Sequence, residues 1–217
     1  VELNALWFNA LKIMARLAER FDDKESCRKY LKMAEKTQES FEKKFYNPKK
    51  HCLYDVLGDD KIRPNQLFAI SLSHPVIENK DIAEEIIATV EKELLTPYGL
   101  KKKAKGEEGY TEIYEGSPYK RDMSYHQGIT WPWLLGLYYD GLKNLIIMER
   151  DRRTREELEG KLKGFVEKTR ITFDVEMRQR SSIDTISEIY DSCRPYEERG
   201  AFAQAWSVAE IFRIIAQ

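Results

Sequence analysis

The sequence is poor in the residues from which the simplest functional readings are built. Among 217 residues there are three cysteines, Cys27, Cys52 and Cys193, and three histidines. An odd cysteine count at irregular spacing argues against a disulfide framework and suits a reducing compartment, so the cytoplasm is expected. A zinc pair is excluded at His126, which has no partner three or four residues away, and nothing in the sequence implies a metal or cofactor. Eleven glycines and seven prolines never gather into a linker. One domain covering residues 1–217 is therefore the expectation. Glycine-rich phosphate loops and a G-x-S-x-G serine elbow are both missing. No apolar run reaches membrane-spanning length and no signal sequence is present, which excludes a membrane partner. Charge of neither sign is in excess, with 36 Lys and Arg against 37 Asp and Glu, dispersed along the chain. That balance excludes an extended nucleic-acid face.

What the chain does have is helical periodicity. Leu3, Leu6, Trp7, Ala10, Leu11, Met14, Leu17 and Phe21 recur at three and four, which predicts a helix with one buried face. A second helix follows from about Asp23 to Phe45, with Cys27, Tyr30, Leu31, Ala34, Phe41 and Phe45 inward, so the two should form an antiparallel hairpin. Pro64 opens a short helix holding Leu67, Phe68 and Ile70, and Asn79 caps another with Ile82, Ile86, Val90 and Leu94 on one stripe. Residues 100–120 read as loop with a short strand, and Lys101, Lys102, Lys103 and Lys105 as solvated surface. A helix begins at Trp131 with Pro132 in its first turn, and a further one starts from a Thr154/Glu157 capping box. Residues 174–200 lack a sustained stripe. The last helix, residues 201–215, is apolar almost all round and belongs inside a structure. Because the chain opens on Val1 within an apparent helix, it is expected to be a piece of a larger protein.

About seven helices, joined alternately by short turns and long loops, suit an all-α ring of helical hairpins, here incomplete. Three polar clusters sit at loop-to-helix junctions. The first is Asp59, Asp60, Arg63, Asn65 and Gln66; the second is Arg121, Asp122, His126 and Gln127; the third is Glu188 and Asp191 with Gln204. Each comes with a tryptophan or tyrosine. Carboxylates, amides and flat aromatic faces together suit a sugar, whose hydroxyls take paired hydrogen bonds and whose C–H faces stack on rings. Hydrolysis of a glycoside needs two carboxyl groups flanking the bond, and Glu188 is the better candidate for the base.

Five blocks carry a resemblance to a known family: VELNALWFNAL (1–11), IRPNQLFAISL (62–72), ELLTPYGL (93–100), RDMSYHQGITWPW (121–133), and TISEIYD with RGAFAQAWSVAE (185–191 and 199–210). In order along the whole chain, they resemble the C-terminal catalytic domain of glycogen debranching enzymes, the amylo-α-1,6-glucosidase type. The resemblance implies an (α/α)6 toroid, similar in shape to glucoamylases and trehalases, that removes an α-1,6-linked glucose from an α-glucan or oligosaccharide by water attack with inversion.

The resemblance puts the general base on Glu188. It also implies substrate-binding roles for Glu2 and Asn4, for Asp59, Arg63 and Asn65, for Arg121, Asp122, His126 and Gln127, for Trp131 and Trp133 as an aromatic wall, and for Gln204 and Trp206. The family's general acid is an aspartate in a TW-x-D segment shortly before the block that matches residues 1–11, and this chain has no such segment. The 217 residues alone are therefore expected to be inactive, and to associate with a missing N-terminal half or with themselves through an exposed apolar surface. The chain departs from the commoner family pattern at Ile129-Thr130 and in the loop DSCRPYEERG, which bears on substrate reach beyond the first sugar. A silent carbohydrate-binding module and a toroid hydrolase of another glucoside are the competing readings.

Overall fold

The computed structural model describes residues 1–180 and 184–216. Helices α1 (Glu2–Arg20) and α2 (Lys24–Phe45) form the expected antiparallel hairpin. Asp22 turns the chain with a positive φ of 56°, and the Asp23 carboxylate accepts the Ser26 N–H at 3.0 Å to start α2. The buried face of α1 is not the predicted one. Ala5, Phe8, Leu11 and Ala15 are covered, whereas Leu3, Trp7, Met14, Leu17 and Phe21 stand exposed. Apolar residues occupy more than one stripe of this helix, and the neighbours within the chain cover a single stripe. In α2, Ala34, Phe41 and Phe45 point inward as expected, but Leu31 does not.

A two-stranded ribbon, β1 (Tyr46–Asn47) with β2 (Cys52–Leu53), closes the hairpin. A 3₁₀ turn at Pro64–Leu67 then leads into the one-turn helix α3 (Phe68–Ser71). Helix α4 (Lys80–Glu93) starts where the Asn79 side chain accepts the N–H groups of Asp81 and Ile82, and buries Ile82, Ile86 and Val90 as predicted. After β3 (Leu95–Thr96) and β4 (Gly99–Lys101) comes α5 (Pro118–Ser124), a helix the sequence pattern does not announce. Seven residues are too few to show a period.

Trp131 lies in β5 (Thr130–Trp131), and α6 (Leu134–Met148) begins after it, three residues later than predicted. Helix α7 (Arg152–Gln179) is capped by Asp151, which accepts the Thr154 N–H at 2.9 Å; Glu157 pairs instead with Arg153. It continues to Gln179, through the first residues of the segment 174–200 that reads as irregular, because there the buried side of the helix is carried by a charged residue, Glu176, with Met177 partly covered beside it. The rest of that segment holds β6 (Ile189–Tyr190) and β7 (Glu198–Arg199), with residues 181–183 outside those described. Helix α8 (Ala205–Ile215) buries Ser207, Ile211 and Ile214 but leaves Trp206 and Phe212 open, with Phe202 exposed just before it. The expectation that it lies wholly inside is thus corrected.

Eight α-helices are present among the described residues, one more than anticipated. Helices α1, α3, α6 and α8 touch in succession as an inner row, backed by α2, α4 and α7. That two-layer alternation is the mostly helical, toroid-type architecture expected. No described helix is long and apolar enough to cross a membrane. Strands β3 to β7 form one antiparallel sheet in chain order, with Leu100 opposite Trp131, Thr130 opposite Tyr190, and Ile189 opposite Arg199.

Candidate active site

Glu188 sits immediately before β6, and the antiparallel partner strand brings residues 200–204 back beside it. The pairing continues past the strand ends, where the Glu188 N–H donates to the Ala201 carbonyl at 2.9 Å and the Gln204 N–H to Ile186 at 3.0 Å. Three donors converge on the Glu188 carboxylate. The Ala201 N–H reaches Oε2 at 3.1 Å, the Gln204 Nε2 amide reaches Oε1 at 3.4 Å, and the Tyr125 hydroxyl donates a short bond to Oε1. Gly200 makes this possible: its φ is +70°, and a Cβ there would come within 2.3 Å of Oε2.

Aromatic rings line the same place. His126 stacks on Trp131 at 5.3 Å between centroids with 17° between planes, and Tyr125 meets Trp131 edge-on at 4.8 Å. Trp206 packs edge-on against Trp131 at 6.0 Å and stacks on Trp133 at 5.4 Å. Trp131 is held in turn by its indole N–H, which donates to the Tyr125 carbonyl at 3.2 Å. Trp133 and Trp206 come from opposite ends of the chain's second half and meet only because α6 and α8 are neighbours.

Arg63 joins the first and second polar clusters. Its Nη1 donates to the carbonyls of Lys102 at 3.1 Å and His126 at 3.0 Å, and its Nη2 to Gln127 Oε1 at 3.4 Å. Its carboxylate partner is Asp55, at 3.7 Å, rather than Asp59. Asp59 is bound by Lys61 through both side chain and backbone, which holds its carboxyl below the usual range. Asn65 donates to Asp55 at 2.9 Å and accepts from Lys102 Nζ at 3.4 Å. The lysine run is therefore not uniformly solvated. Lys103 is buried and donates to the Glu108 carbonyl, and burial lowers the proton affinity of Lys101, Lys102 and Lys103; only Lys105 is exposed.

His126 stands between these two halves. Partial burial of its ring, then the charges of Lys102 and Arg63, depress its pKa, while Glu188 on the other side pulls the opposite way. The lowered pKa favours the neutral imidazole, which stacks on Trp131. Glu2 lies within electrostatic reach of Lys102, and Arg121 lines a groove with Tyr114, Glu115, Gly116, Arg199 and Gly200 that opens beside Glu188. Asn4 is exposed and lines a separate groove with Trp7, Thr37 and Phe41, and Asp122 is exposed on α5. Among the described residues, no three His, Cys, Asp or Glu side chains gather to hold a metal ion.

The model of the family described as amylo-alpha-1,6-glucosidase matches residues 1–213. The chain belongs to the amylo-alpha-1,6-glucosidase family. Membership brings a glycoside-hydrolase type of function, in keeping with a carboxylate set in an aromatic wall. No curated protein matches the chain at a significant level. Among solved structures, one titled "Sialidase" superposes with a TM-score of 0.70 over 97% of this chain, at 13% identity. At that identity the likeness shows the fold alone, and the chain spans 19% of that structure's length.

Of the residues the sequence singles out, Glu188, His126, Trp131, Gln204, Trp206 and Trp133 form one contiguous surface, and Arg63, Asn65 and Gln127 join it through His126. Among the described residues, Asn4, Asp59 and Asp122 make no hydrogen bond or ion pair with that surface, though the Arg63 charge reaches Asp59. Three participants escaped sequence reasoning: Tyr125, Asp55 and Lys102. Tyr125 lies inside a quoted block beside His126, so proximity alone could have nominated it. Lys102 was hidden in a run of four lysines, where only strand pairing shows which one turns inward. Asp191, grouped with Glu188 by spacing, is structural instead: buried, it accepts the Tyr114 N–H at 2.8 Å and binds Arg199 through Nε and Nη2.

Proposed function

We propose that this chain is the base-bearing part of a glycosidase domain that removes α-1,6-linked glucose from an α-glucan or oligosaccharide with inversion. The single observation that carries the reading is Glu188, a carboxylate hydrogen-bonded by three donors, one of them Tyr125, whose ring packs on Trp131 and through it on Trp206. Such a group is oriented by neutral donors, and among the described residues no cation forms a salt bridge with it. In the reaction, Glu188 takes a proton from water as the water oxygen bonds to C1 of the sugar. The bond from C1 to the leaving oxygen breaks, and a second carboxylic acid protonates that oxygen from the opposite side.

Inversion requires the two carboxyl groups to stand about 6.5–9.5 Å apart, with room for the water. The acid is an aspartate supplied from outside these 217 residues, so the isolated chain does not hydrolyse glycans at a useful rate. Exposed apolar side chains on α1 and near α8, including Trp7, Leu17, Phe202 and Phe212, are the surface on which the acid-bearing portion packs. The setting is the cytoplasm, in keeping with three free cysteines.

Glu188→Gln in the complete enzyme tests the assignment. Turnover falls by about 10³-fold or more, since a positioned base and its water are lost together, while sugar binding changes little. An unchanged rate rejects Glu188 as the base, and robust hydrolysis by the 217 residues alone rejects the division of labour. Binding of glucose or isomaltose by the isolated chain with no turnover even after the acid-bearing portion is restored would favour a silent carbohydrate-binding module.

A further inference from the structure

The donors on Glu188 are unevenly distributed between its two oxygens. Oε1 takes both the Tyr125 hydroxyl and the Gln204 amide, whereas Oε2 takes only the Ala201 N–H. A carboxylate has about four lone-pair positions, two on each oxygen, so three donors leave one open, and it lies on Oε2. The space in front of that oxygen is kept by Gly200, whose missing side chain would otherwise collide with it, and the groove lined by Tyr114, Arg121, Arg199 and Gly200 runs alongside.

Two of the three donors belong to the chain segment that already pairs with Glu188. Tyr125 is different, because it arrives from the end of α5, a separate element. Its ring is gripped by Trp131 at 4.8 Å, by Tyr114 at 5.7 Å and by His126 at 4.7 Å, and its carbonyl by the Trp131 indole. Burial and the bond to Glu188 raise the pKa of the phenol, so it stays a proton donor throughout the range in which a carboxylate ionises.

We infer that Tyr125 is the positioning residue of the site: it occupies Oε1, fixes the plane of the Glu188 carboxylate, and leaves Oε2 to direct the attacking water. The inference rests on the proposed role of Glu188 as base. A charge-assisted bond to one carboxylate oxygen fixes the plane of the group and leaves the other oxygen facing the water. Tyr125 has no need to touch substrate for this. It also predicts which oxygen carries the proton after the water's O–H bond breaks: Oε2, from which bulk solvent removes it through the groove.

The test is Tyr125→Phe, which keeps the ring and its packing and removes only the hydroxyl. In the complete enzyme, kcat falls about 10- to 100-fold with KM within about twofold. In the 217-residue chain at neutral pH, carbon-13 NMR of labelled glutamate side chains, with the Glu188 signal identified by its loss in Glu188→Gln, shows that signal displaced by Tyr125→Phe. A fall in kcat matched by an equal rise in KM, or a Glu188 signal left unmoved, overturns the inference, because a purely structural tyrosine would give that result. A displaced signal while Glu188→Gln leaves turnover intact would instead sink the base assignment, which separates the two failures.

Discussion

The contacts that define the α1–α2 hairpin join residues within the first 45 positions, while the five-stranded sheet draws on residues from 95 to 199 to set Lys101, Thr130 and Tyr190 side by side. The hairpin's helices carry an apolar surplus, much of it exposed, and buried alanines at its seam. Each strand of the sheet is only two or three residues long, yet together they hold Trp131 in place and set the candidate base, Glu188, at the edge of β6. A long helix supplies its own hydrogen bonds and tolerates an uncovered face. A two-residue strand has no stability alone and exists only where its neighbours impose it. Precision in this molecule therefore lies where local preference is weakest, and the candidate site is built there.

That contrast breaks most directly at Gly99. A Cβ at this position would lie 2.4 Å from the Trp131 carbonyl, so Gly99→Ala has to part β4 from β5. We expect a loss of about 3 kcal/mol or more in urea unfolding, together with loss of the Trp131 environment by near-ultraviolet circular dichroism. A stable Gly99→Ala variant with the wild-type spectrum would mean that the sheet is as forgiving as the hairpin.

A pH titration probes how the sheet is tied to its backing helix. Glu176 on α7 is buried, accepts the Tyr190 hydroxyl at 2.8 Å, and faces Arg180 just past the end of its own helix and Glu198 on β7. Burial chiefly, with Glu198 adding to it, pushes its pKa up to about 7 from 4.5, against the opposing pull of Tyr190 and Arg180. The folded chain thus binds this proton more tightly than the unfolded one. The stabilisation is fully present below the unfolded value and is lost as pH rises through about 7. The urea midpoint of the wild type should therefore decline more steeply between pH 5 and pH 8 than that of Glu176→Gln, and equal slopes would remove Glu176 as the cause.

The smallest effect belongs to the hairpin. Leu3, 74% exposed, should tolerate replacement by serine within about 0.5 kcal/mol in the isolated chain. A larger loss there would show that the predicted apolar stripe of α1 is covered after all, and the comparison between the two regions would narrow.

Legibility from sequence follows the same division. Helices α1, α2, α4 and most of α7 were readable because a stripe repeating over many turns leaves little choice of structure, and the Asn79 cap was visible as a residue type in its place. Glu188, His126, Trp131 and Gln204 were nominated from short blocks, and the structure brings them together. Asp55 and Lys102 were not readable, since their value comes from Arg63, Asn65 and His126, partners distant in the chain. The open side of α8 was misread because an apolar helix looks the same whether its neighbours surround it or stop halfway.

Residue order along the chain dictated where helices form, that no disulfide or phosphate loop organises the fold, and which carboxylate to examine, because these depend on near neighbours or on composition. Which helix faces are wet, which lysine turns inward, and how three donors meet on Glu188 came from packing. Hydrogen bonds and burial act between groups that sequence separation keeps far apart, and only the folded chain brings them within 3.5 Å.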